Sequence, residues 1–524
     1  MKSLRSIIFI LMALMVLVSP RLGDCAPKQE PTDTLVIALS TLGEETFLPW
    51  WAAGLARSYM FMIYETLLYL DPVTGQLKPG LAIKWEMSKD AKTWTFWLRQ
   101  GVQFHEGWGE LIAEDVKYTF ERQQEPDSKA PHAAMLRKIV SKVEAPERYK
   151  VVFYLKGPDM EFANTFICDT STTPILCKKY IETVGDQKAN SHPIGTGPYT
   201  LREEHKKGTP IKLNTIEGIV KHWRVTPEFK ALTFLNIPEE ATRVAMLKAG
   251  EVDLAPISYD SINTIKASGL NIISLSRSWQ PRILFGGSIT TDPKRYDPKN
   301  PWADKRVRQA LNYAIDKEAI AKNIFRGEAT PTGSSTLIPQ WFHIKPYPFD
   351  LSMAKKLLVE AGYPNGFPIT LKTYTTVPGA ELPIIGEAVG MYWKMLGLDV
   401  KIVPSDFMTV FGEWTGGKAN NFVFTQRAQA FSGALEPITV DNTSPSLYAS
   451  YVTKDIEAWV DKIMHEFDDK KSNQLLIEYG QYLHDEACNV FLVQANEPYG
   501  VSKKVGRWPT IRNRPSNFDL ITHQ

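Results

Sequence analysis

The stretch MIYETLLYLDPVTGQLKPGLAIKWEMSKDAKTWTFWLRQGVQFHEGWGELIAEDVKYTFER, from Met62 to Arg122, decides the fold of this chain. Asp-Pro and Thr-Gly pairs at 71–75 are typical of tight turns. From 94 to 99 the side chains alternate with the period of a strand. Acidic residues at 114–115 mark the first turn of a helix. The stretch therefore predicts strands and helices that follow one another around tight turns.

Further along the chain the same alternation continues. Residues 237–257 (IPEEATRVAMLKAGEVDLAPI) predict a helix that ends at Gly250, followed by a strand. Residues 304–316 (DKRVRQALNYAID) place apolar side chains on one face of a helix. Residues 350–367 predict another helix, and 369–402 predict strand, helix and strand in turn. This β–α–β order predicts an α/β fold.

These pieces, in this order, resemble the signature of the family 5 extracellular solute-binding proteins. These proteins are the receptors of ABC importers for oligopeptides, dipeptides, nickel complexes and related solutes. The 304–316 helix matches the family pattern nearly letter for letter. A spaced set of residues also matches: Arg243, Leu247, Gly250, Glu251 and Asp253. The resemblance implies an α/β, type II periplasmic-binding-protein fold, with two lobes joined by a hinge plus an extra subdomain.

The resemblance also implies that each unit is built from separate parts of the chain. We expect the first lobe to comprise residues 33–65, 197–280 and 490–524, the extra subdomain 66–196, and the second lobe 281–489. Residues 278–287 (SWQPRILFGG) would form a crossover strand between the lobes. The two glycines at its end, Gly286 and Gly287, would either widen the cleft or add freedom at the hinge.

Composition limits the classes of function. The chain has 524 residues, 44% hydrophobic and 23% charged, which is ordinary globular composition. That length is enough for about two to four domains. With 60 Lys plus Arg against 58 Asp plus Glu and no basic run, the sequence does not predict nucleic-acid binding.

The N-terminus has the pattern of a secretory signal peptide over residues 1–25. Basic residues precede an apolar run from Ile7 to Val18, which is too short to span a membrane comfortably. We therefore expect an exported protein, periplasmic or extracytoplasmic. Cleavage next to Cys25 would give either a soluble protein or one with a lipid anchor on Cys25. Asp24 favours the soluble form, because small residues precede a lipoprotein cysteine.

Two of the four cysteines, Cys168 and Cys177, flank a loop rich in Thr, Ser and Pro. Export permits a disulfide between them. The alternative is two small buried side chains. The sequence contains no Cys-x-x-Cys pair, so it does not predict a zinc-ribbon or thioredoxin site.

Motifs for catalysis are missing from the sequence. It has no GxSxG elbow, Walker A loop, HExxH or GxGxxG. Its nine histidines are scattered and none pairs at i, i+4, so we expect no preformed metal site and no cofactor. The sequence therefore favours a binding protein over an exported hydrolase.

Four aromatic residues stand where the family lines its cleft, so the resemblance implies that they contact the ligand. Phe47 and Trp50 follow the first predicted strand, at the edge where α/β proteins bind ligands. Trp279 lies at the predicted crossover, and Trp414 lies in a glycine-rich loop (FGEWTGGK) of the second lobe. Rigid aromatic walls suit a clamp that closes on its ligand. The alternative for each residue is packing in the core or on the surface.

Residues 420–437 (NNFVFTQRAQAFSGALEP) depart from the family's pattern. Peptide-binding members have an aspartate here, which fixes the peptide's α-amino group through a charge-assisted hydrogen bond. This chain offers Arg427 instead, with Phe431 nearby. We expect Arg427 to bind a carboxylate or another anion of the ligand. The alternative for Arg427 is a structural or surface ion pair.

The resemblance implies a substrate-binding protein of an ABC importer. Such a protein captures a solute by hinge closure and delivers it to its partner, the membrane permease. A peptide is the expected ligand, and the changed segment leaves room for a modified peptide, an opine, a sugar, an organic acid or a metal chelate. A chaperone or a signalling receptor on the same fold is the alternative function. We expect a monomer that is not an enzyme.

Overall fold

A computed structural model describes residues 33–52, 56–71, 76–169, 173–216, 222–376, 379–429, 433–509 and 517–524. The predicted signal peptide, Cys25 and Phe431 therefore lie outside the described residues. No helix in the described ranges is long and apolar enough to cross a membrane.

Strands and helices alternate along the chain. In chain order the strands are β1 Thr34–Leu39, β2 Leu68–Leu70, β3 Leu77–Pro79, β4 Ala82–Met87, β5 Thr93–Leu98, β6 Val140–Glu147, β7 Lys150–Leu155, β8 Tyr199–Leu201, β9 Ile211–Thr215, β10 Ala231–Asn236, β11 Leu254–Pro256, β12 Asn271–Phe285, β13 Ala329–Pro331, β14 Pro368–Thr373, β15 Asp399–Pro404, β16 Val423–Gln429, β17 Val490–Phe491 and β18 Val493–Val501. The α-helices are α1 Arg57–Ile63, α2 Ala113–Gln123, α3 Ala133–Ile139, α4 Lys178–Val184, α5 Asp186–Ser191, α6 Glu240–Ala249, α7 Ile262–Ala267, α8 Lys305–Tyr313, α9 Lys317–Asn323, α10 Leu351–Glu360, α11 Leu382–Lys394, α12 Phe407–Thr415, α13 Leu435–Asn442, α14 Lys454–Met464 and α15 Asp469–Asp485.

One twelve-stranded sheet runs through both lobes. Its order is β15-β14-β16-β12-β18-β11-β1-β10-β9-β8, with β13 beside β18 and β17 beside β12. The strands β1, β10 and β11 are parallel in the first lobe, and β14, β15 and β16 are parallel in the second. The antiparallel pair β12 and β18 lies between these two groups. These two strands therefore carry the chain from one lobe to the other.

The ladder between β12 and β18 breaks in the middle. Residues 271–275 pair with 501–497, and pairing resumes only where Trp279 lies opposite Ala495. Within the break, Arg277 has a φ of 49° and donates its backbone N–H to Asn496 Oδ1 at 3.0 Å. An interruption between two regular ladders concentrates bending at one place. Residues 276–278 therefore interrupt the ladder that joins the two lobes, and this break is called the pivot below.

The extra subdomain is built on a separate antiparallel sheet with the order β4-β5-β7-β6. Trp94, Phe96 and Leu98 of β5 are all buried, so the strand predicted from their alternation is confirmed. Phe96 packs edge-on against Phe153 of β7, with ring centroids 5.6 Å apart. The apolar side chains that alternate along β5 thus all lie on the face of the sheet that packs in the core.

The chain enters and leaves the extra subdomain at two adjacent crossings. The N–H of Gly197 donates to Ile63 O at 2.8 Å, and Thr196 Oγ1 donates to Glu65 Oε2 at 3.0 Å. A Cβ on Gly195 would overlap the same Ile63 oxygen, so this close approach requires glycine. The expected boundaries at 65/66 and 196/197 fall at this junction. All the expected domain boundaries stay predictions, and the names of the three units are kept for those ranges.

Several helix ends agree with the sequence pattern. The side chains of Asp304 and Asp350 cap α8 and α10 by accepting from backbone N–H groups. Gly250, with a φ of 74°, ends α6 in the left-handed conformation as expected. One assignment was wrong: Trp414 lies in the helix α12, because its segment continues the turn begun at Phe407 and does not form a loop.

Cys168 and Cys177 are separate, buried thiols. Cys168 Sγ donates to Asn164 O at 2.8 Å. Burial raises the pKa of the Cys177 thiol to about 11, which keeps it protonated at neutral pH. Of the two alternatives drawn from the sequence, the structure has the pair of buried side chains.

Candidate ligand-binding site between the lobes

Parallel strands bring the carboxyl ends of the two half-sheets to facing edges. In the first lobe β1, β10 and β11 end at Leu39, Asn236 and Pro256, and in the second lobe β14, β15 and β16 end at Thr373, Pro404 and Gln429. Pro256 lies opposite Tyr499 of β18, and Gln429 lies opposite Trp279 of β12, on either side of the pivot. Ligands of α/β sheets bind outside the carboxyl ends of the strands. The space between these edges is therefore the candidate site.

Arg427 lies at this edge in the second lobe. It is half-buried on β16, opposite Pro281 of β12. Burial lowers the pKa of its guanidinium, and the nearby Tyr374 and Glu497 act in the opposite direction. An arginine keeps its charge under such a shift. Its fork of donors suits a planar carboxylate, so this position can bind an anionic group of a ligand.

Glu497 and Tyr374 complete the polar surroundings of Arg427. Burial raises the pKa of the Glu497 carboxyl, while the hydrogen bond from Tyr499 and the charge of Arg427 oppose the shift. The Tyr499 hydroxyl donates to Glu497 Oε1 at 3.0 Å. Burial raises the pKa of Tyr374 to about 12, and Arg427 and Arg282 lower it. The edge thus carries a cation and an acid on two different strands.

Arg282, next to this edge, has a structural role. It is 2% exposed and donates to Asp441 Oδ2 at 2.7 Å and Oδ1 at 3.0 Å. It also donates to Gln426 Oε1 at 2.7 Å and to Ser335 O at 3.0 Å. Because protein groups accept from it on all sides, Arg282 holds α13 and β16 against β12, and so fixes the strand that carries Arg427.

The predicted contacts Phe47 and Trp50 lie in packed surroundings. Phe47 is fully buried, edge-on to the ring of Tyr59 at 5.1 Å. Trp50 is 3% exposed and donates its Nε1–H to Asp186 Oδ2 at 3.1 Å, with the Arg122 guanidinium 4.6 Å from its ring centre. Trp50 therefore joins the first lobe to the extra subdomain. Ligand contact by either ring stays a prediction.

The other predicted contacts are divided. Trp279 is 1% exposed and donates to the hydroxyl of Tyr259 at 3.2 Å, which ties the pivot to the first lobe. Trp414 is half-buried and donates to Ala449 O at 3.0 Å. Phe431 lies outside the described residues. The structure therefore brings Arg427 to the edge and places Trp279 in the core beside it, and the ligand roles of all three aromatic residues stay predictions.

Gly286 and Gly287 lie at the other end of β12, away from the facing edges. A Cβ on Gly286 would overlap the backbone oxygen of Ala419, and Gly287 has a φ of 69°. The pair therefore allows the chain before β16 to pack closely on β12. A wider cleft or added freedom at the hinge, the two roles expected for this pair, stays a prediction.

A row of aromatic rings leads away from Tyr374, and the sequence did not reveal it. The rings of Tyr374 and Phe407 are 5.4 Å apart, and those of Phe407 and Phe411 are 5.5 Å apart. Phe411 continues the row to Tyr448 at 5.4 Å. Phe407 and Tyr448 are 43% and 47% exposed. The i, i+4, i+7 spacing of Phe407, Phe411 and Trp414 was the available signal.

A metal site has no support among the described residues, where no group of three or more His, Cys, Asp or Glu side chains could hold an ion. The polar groups that the facing edges do offer are the donors and acceptors around Arg427. The site as described is suited to a solute with ionised or hydrogen-bonding groups.

Comparison with known proteins assigns the chain to a family. The model for bacterial extracellular solute-binding proteins, family 5 Middle, matches residues 76–452. The dipeptide-binding protein of Escherichia coli (strain K12) is 29% identical in an alignment of 497 residues that covers 84% of this chain and 85% of that protein. The glutathione-binding protein GsiB of Shigella flexneri serotype 5b (strain 8401) is 33% identical over 327 residues, covering 60% of this chain and 59% of that protein.

Solved structures show the same architecture. HbpA2 from Haemophilus parasuis superposes with a TM-score of 0.79 at 23% identity, over 94% of this chain and 100% of that one. The ABC transporter-associated periplasmic binding protein DppA from Helicobacter pylori, in complex with the peptide STSA, superposes with a TM-score of 0.66 at 23% identity, over 93% and 96%. The two-lobed, type II fold expected from the sequence is thereby confirmed. With a family model that matches well over half of its length, this chain belongs to the family 5 bacterial extracellular solute-binding proteins.

Proposed function

We propose that this protein captures a short peptide, or a related small solute with a carboxylate, between its lobes and delivers it to an ABC permease at the cytoplasmic membrane. The observation that carries the proposal is the pair of facing carboxyl edges, with Arg427 at one of them. The dipeptide-binding and glutathione-binding relatives support a peptide-like ligand.

The expected contacts follow from the side chains at the edge. Arg427 would bind a carboxylate, the group that every unblocked peptide carries at its C-terminus. Glu497 interacts with Arg427 through its charge and would accept from a ligand donor such as an amino group. The exposed ring of Phe407 offers an apolar surface next to Tyr374. A zwitterionic solute with one apolar side chain matches all three.

Capture would work by closure about residues 276–278. Contacts made from both lobes at once exist only when the edges are close together, so the ligand shifts the population toward the closed form. No bond is made or broken in this process. We therefore propose that the protein is not an enzyme, acts as a monomer outside the cytoplasm, and releases its ligand unchanged.

Ligand identity is tested on the mature protein purified from its native host. Native mass spectra before and after denaturation would give the mass of what is released. We expect short peptides or one carboxylated solute, chemically intact. Release of a ligand that has no carboxylate would overturn the ligand class, and release of a cleaved product would overturn the assignment as a binding protein.

Arg427 is tested by isothermal titration with the released species. Arg427→Ala should weaken binding at least about 10-fold, and Arg427→Lys should fall between it and the wild type, because the charge stays while the fork is lost. Arg306→Ala is the matched control, because Arg306 pairs with Asp304 on the surface of the same lobe. Equal affinity of the Arg427→Ala and Arg306→Ala variants would remove Arg427 from the site.

A further inference from the structure

Glu161 of the extra subdomain reaches across to the second lobe. Its Oε1 accepts from the backbone N–H of Ala434 at 2.7 Å, and its Oε2 accepts from that of Leu435 at 2.8 Å. These N–H groups lie at the start of α13, where a helix has no internal partners for its donors. A carboxylate there satisfies both donors and interacts favourably with the helix dipole. The cap of a second-lobe helix is thus supplied by another unit.

Hydrogen bonds within the extra subdomain fix the backbone at Glu161. Its own N–H donates to Asp159 Oδ1 at 2.9 Å. Asp159 is in turn fixed, because its N–H donates to Ala91 O at 3.0 Å and its carbonyl accepts from Trp94 Nε1 at 3.0 Å. The loop that presents Glu161 is therefore tied to β5 and its preceding turn, in the sheet of the extra subdomain.

On the opposite side, the chain leaves room for this carboxylate. A Cβ on Gly433, the residue before Ala434, would overlap Glu161 Oε2. Any larger residue at 433 would force the Glu161 carboxylate to shift from this position. Beside the contact lies a cavity of about 200 Å³, lined from both units. The two units therefore meet here through one carboxylate, with a cavity of mixed polar and apolar lining beside it.

Glu161 is half-buried at this contact. Burial raises the pKa of the Glu161 carboxyl to about 7, while the N–H groups of Leu435 and Ala434 oppose the shift. The charges of Asp159 and Glu436 raise the pKa further. Separation of the two units would return the carboxylate to water, so the hydrogen bonds form only when the units are close together.

We propose that Glu161 is a latch that holds the extra subdomain against the second lobe when the protein is closed. The helix that it caps begins six residues after Gln429, the end of the strand that carries Arg427, and its other end is tied to β12 by the Arg282–Asp441 ion pair. Glu161 is thus a positioning residue that acts through α13. This inference rests on the proposed function, since it needs a protein that opens and closes.

The test is a distance measurement between the two units in the full-length mature chain, without added ligand. Spin labels on Lys156→Cys and Lys470→Cys, both at exposed positions, would report the distance by electron–electron double resonance. We expect a short-distance population in the wild type that Glu161→Ala and Gly433→Ala each reduce at least about twofold. Glu161→Gln should fall between them and the wild type, because its amide oxygen can accept one of the two hydrogen bonds.

Amide hydrogen exchange gives a second, direct readout. The N–H groups of 434 and 435 should exchange at least about 10-fold faster in Glu161→Ala, with no comparable change in β5. Glu121→Ala, which removes an exposed glutamate from the same subdomain, is the control. Thermal unfolding of each variant would show that it is folded.

Two results would overturn the latch. One is a wild type without the short-distance population, and the other is a pair of variants that match Glu121→Ala in both distance and exchange. The distance and exchange measurements use no ligand. A negative result for Glu161 would therefore not change the binding measured for Arg427→Ala, and unchanged binding in Arg427→Ala would not change the measured distances. The two proposals can therefore fail separately.

Discussion

Substitution of Arg282 by methionine should destabilise the second lobe far more than loss of an ordinary arginine. Arg282 is 2% exposed and makes a two-pronged ion pair with Asp441, which is itself 8% exposed. Methionine fills most of the same volume but donates nothing. The buried Asp441 carboxylate and the half-buried Gln426 side-chain oxygen would then lose their donor.

The expected size of the effect follows from this geometry. Removal of one partner of a buried ion pair typically costs about 3–5 kcal/mol, because the remaining charge is left uncompensated. The double variant Arg282→Met with Asp441→Leu removes both charges and should recover most of that loss. The predicted coupling between the two sites is thus on the order of 3 kcal/mol.

Urea unfolding followed by tryptophan fluorescence measures these differences. The control is Arg306→Met, because Arg306 pairs with Asp304 at the surface, with side chains 48% and 30% exposed. That variant should lose less than about 1 kcal/mol. The reasoning is refuted if Arg282→Met costs no more than the control, or if the double variant is no more stable than Arg282→Met alone.

Three further outcomes are expected. Gly195→Ala should lower the unfolding free energy by about 1–3 kcal/mol or more, because its Cβ would overlap Ile63 O, whereas Gly157→Ala, with open space around it, should be nearly neutral in thermal unfolding. Burial lowers the pKa of His105 to about 4 from 6.5, so the unfolded chain takes up the proton first as the pH falls. Burial of neutral His105 therefore lowers the unfolding free energy by about 3 kcal/mol as the pH falls from 6.5 to 4. Over this range the urea midpoint of the wild type should fall more steeply on acidification than that of His105→Gln. Finally, iodoacetamide without reductant should modify Cys168 and Cys177 in urea and not in the native protein, whereas unmodified residues in urea would indicate a disulfide.

The elements with strong local signals could be predicted from the sequence. The alternation at 94–99 gave a strand with its apolar face buried, and Asp350 and Gly250 marked helix ends because capping is a local interaction. The glycines around Trp414 predict a loop, but the structure has a helix there. The helix forms despite these glycines, because packing of the Trp414 ring against Phe411 outweighs the low helix propensity of glycine.

The candidate site was only partly visible from the sequence. Arg427 stood out because it replaces an expected aspartate, and the structure does place it at a carboxyl edge. The sequence did not show that Trp279 lies in the core, because its neighbours Tyr259 and Phe325 come from distant parts of the chain. Glu161 carried no signal at all, since its partners are more than 270 positions away and are backbone groups, which every residue has.

The central place of β18 has a consequence for how the chain matures. This strand, Val493–Val501, lies between β12 and β11 and completes the connection between the two half-sheets. During synthesis the two halves can each begin to form, but they cannot be joined until nearly the whole chain has left the ribosome. Contacts between such distant residues form slowly, because loop closure comes before the gain from pairing. If the chain is exported, as its N-terminus predicts, this order of synthesis would keep the two halves of the sheet apart until β18, the last of the described strands, is made.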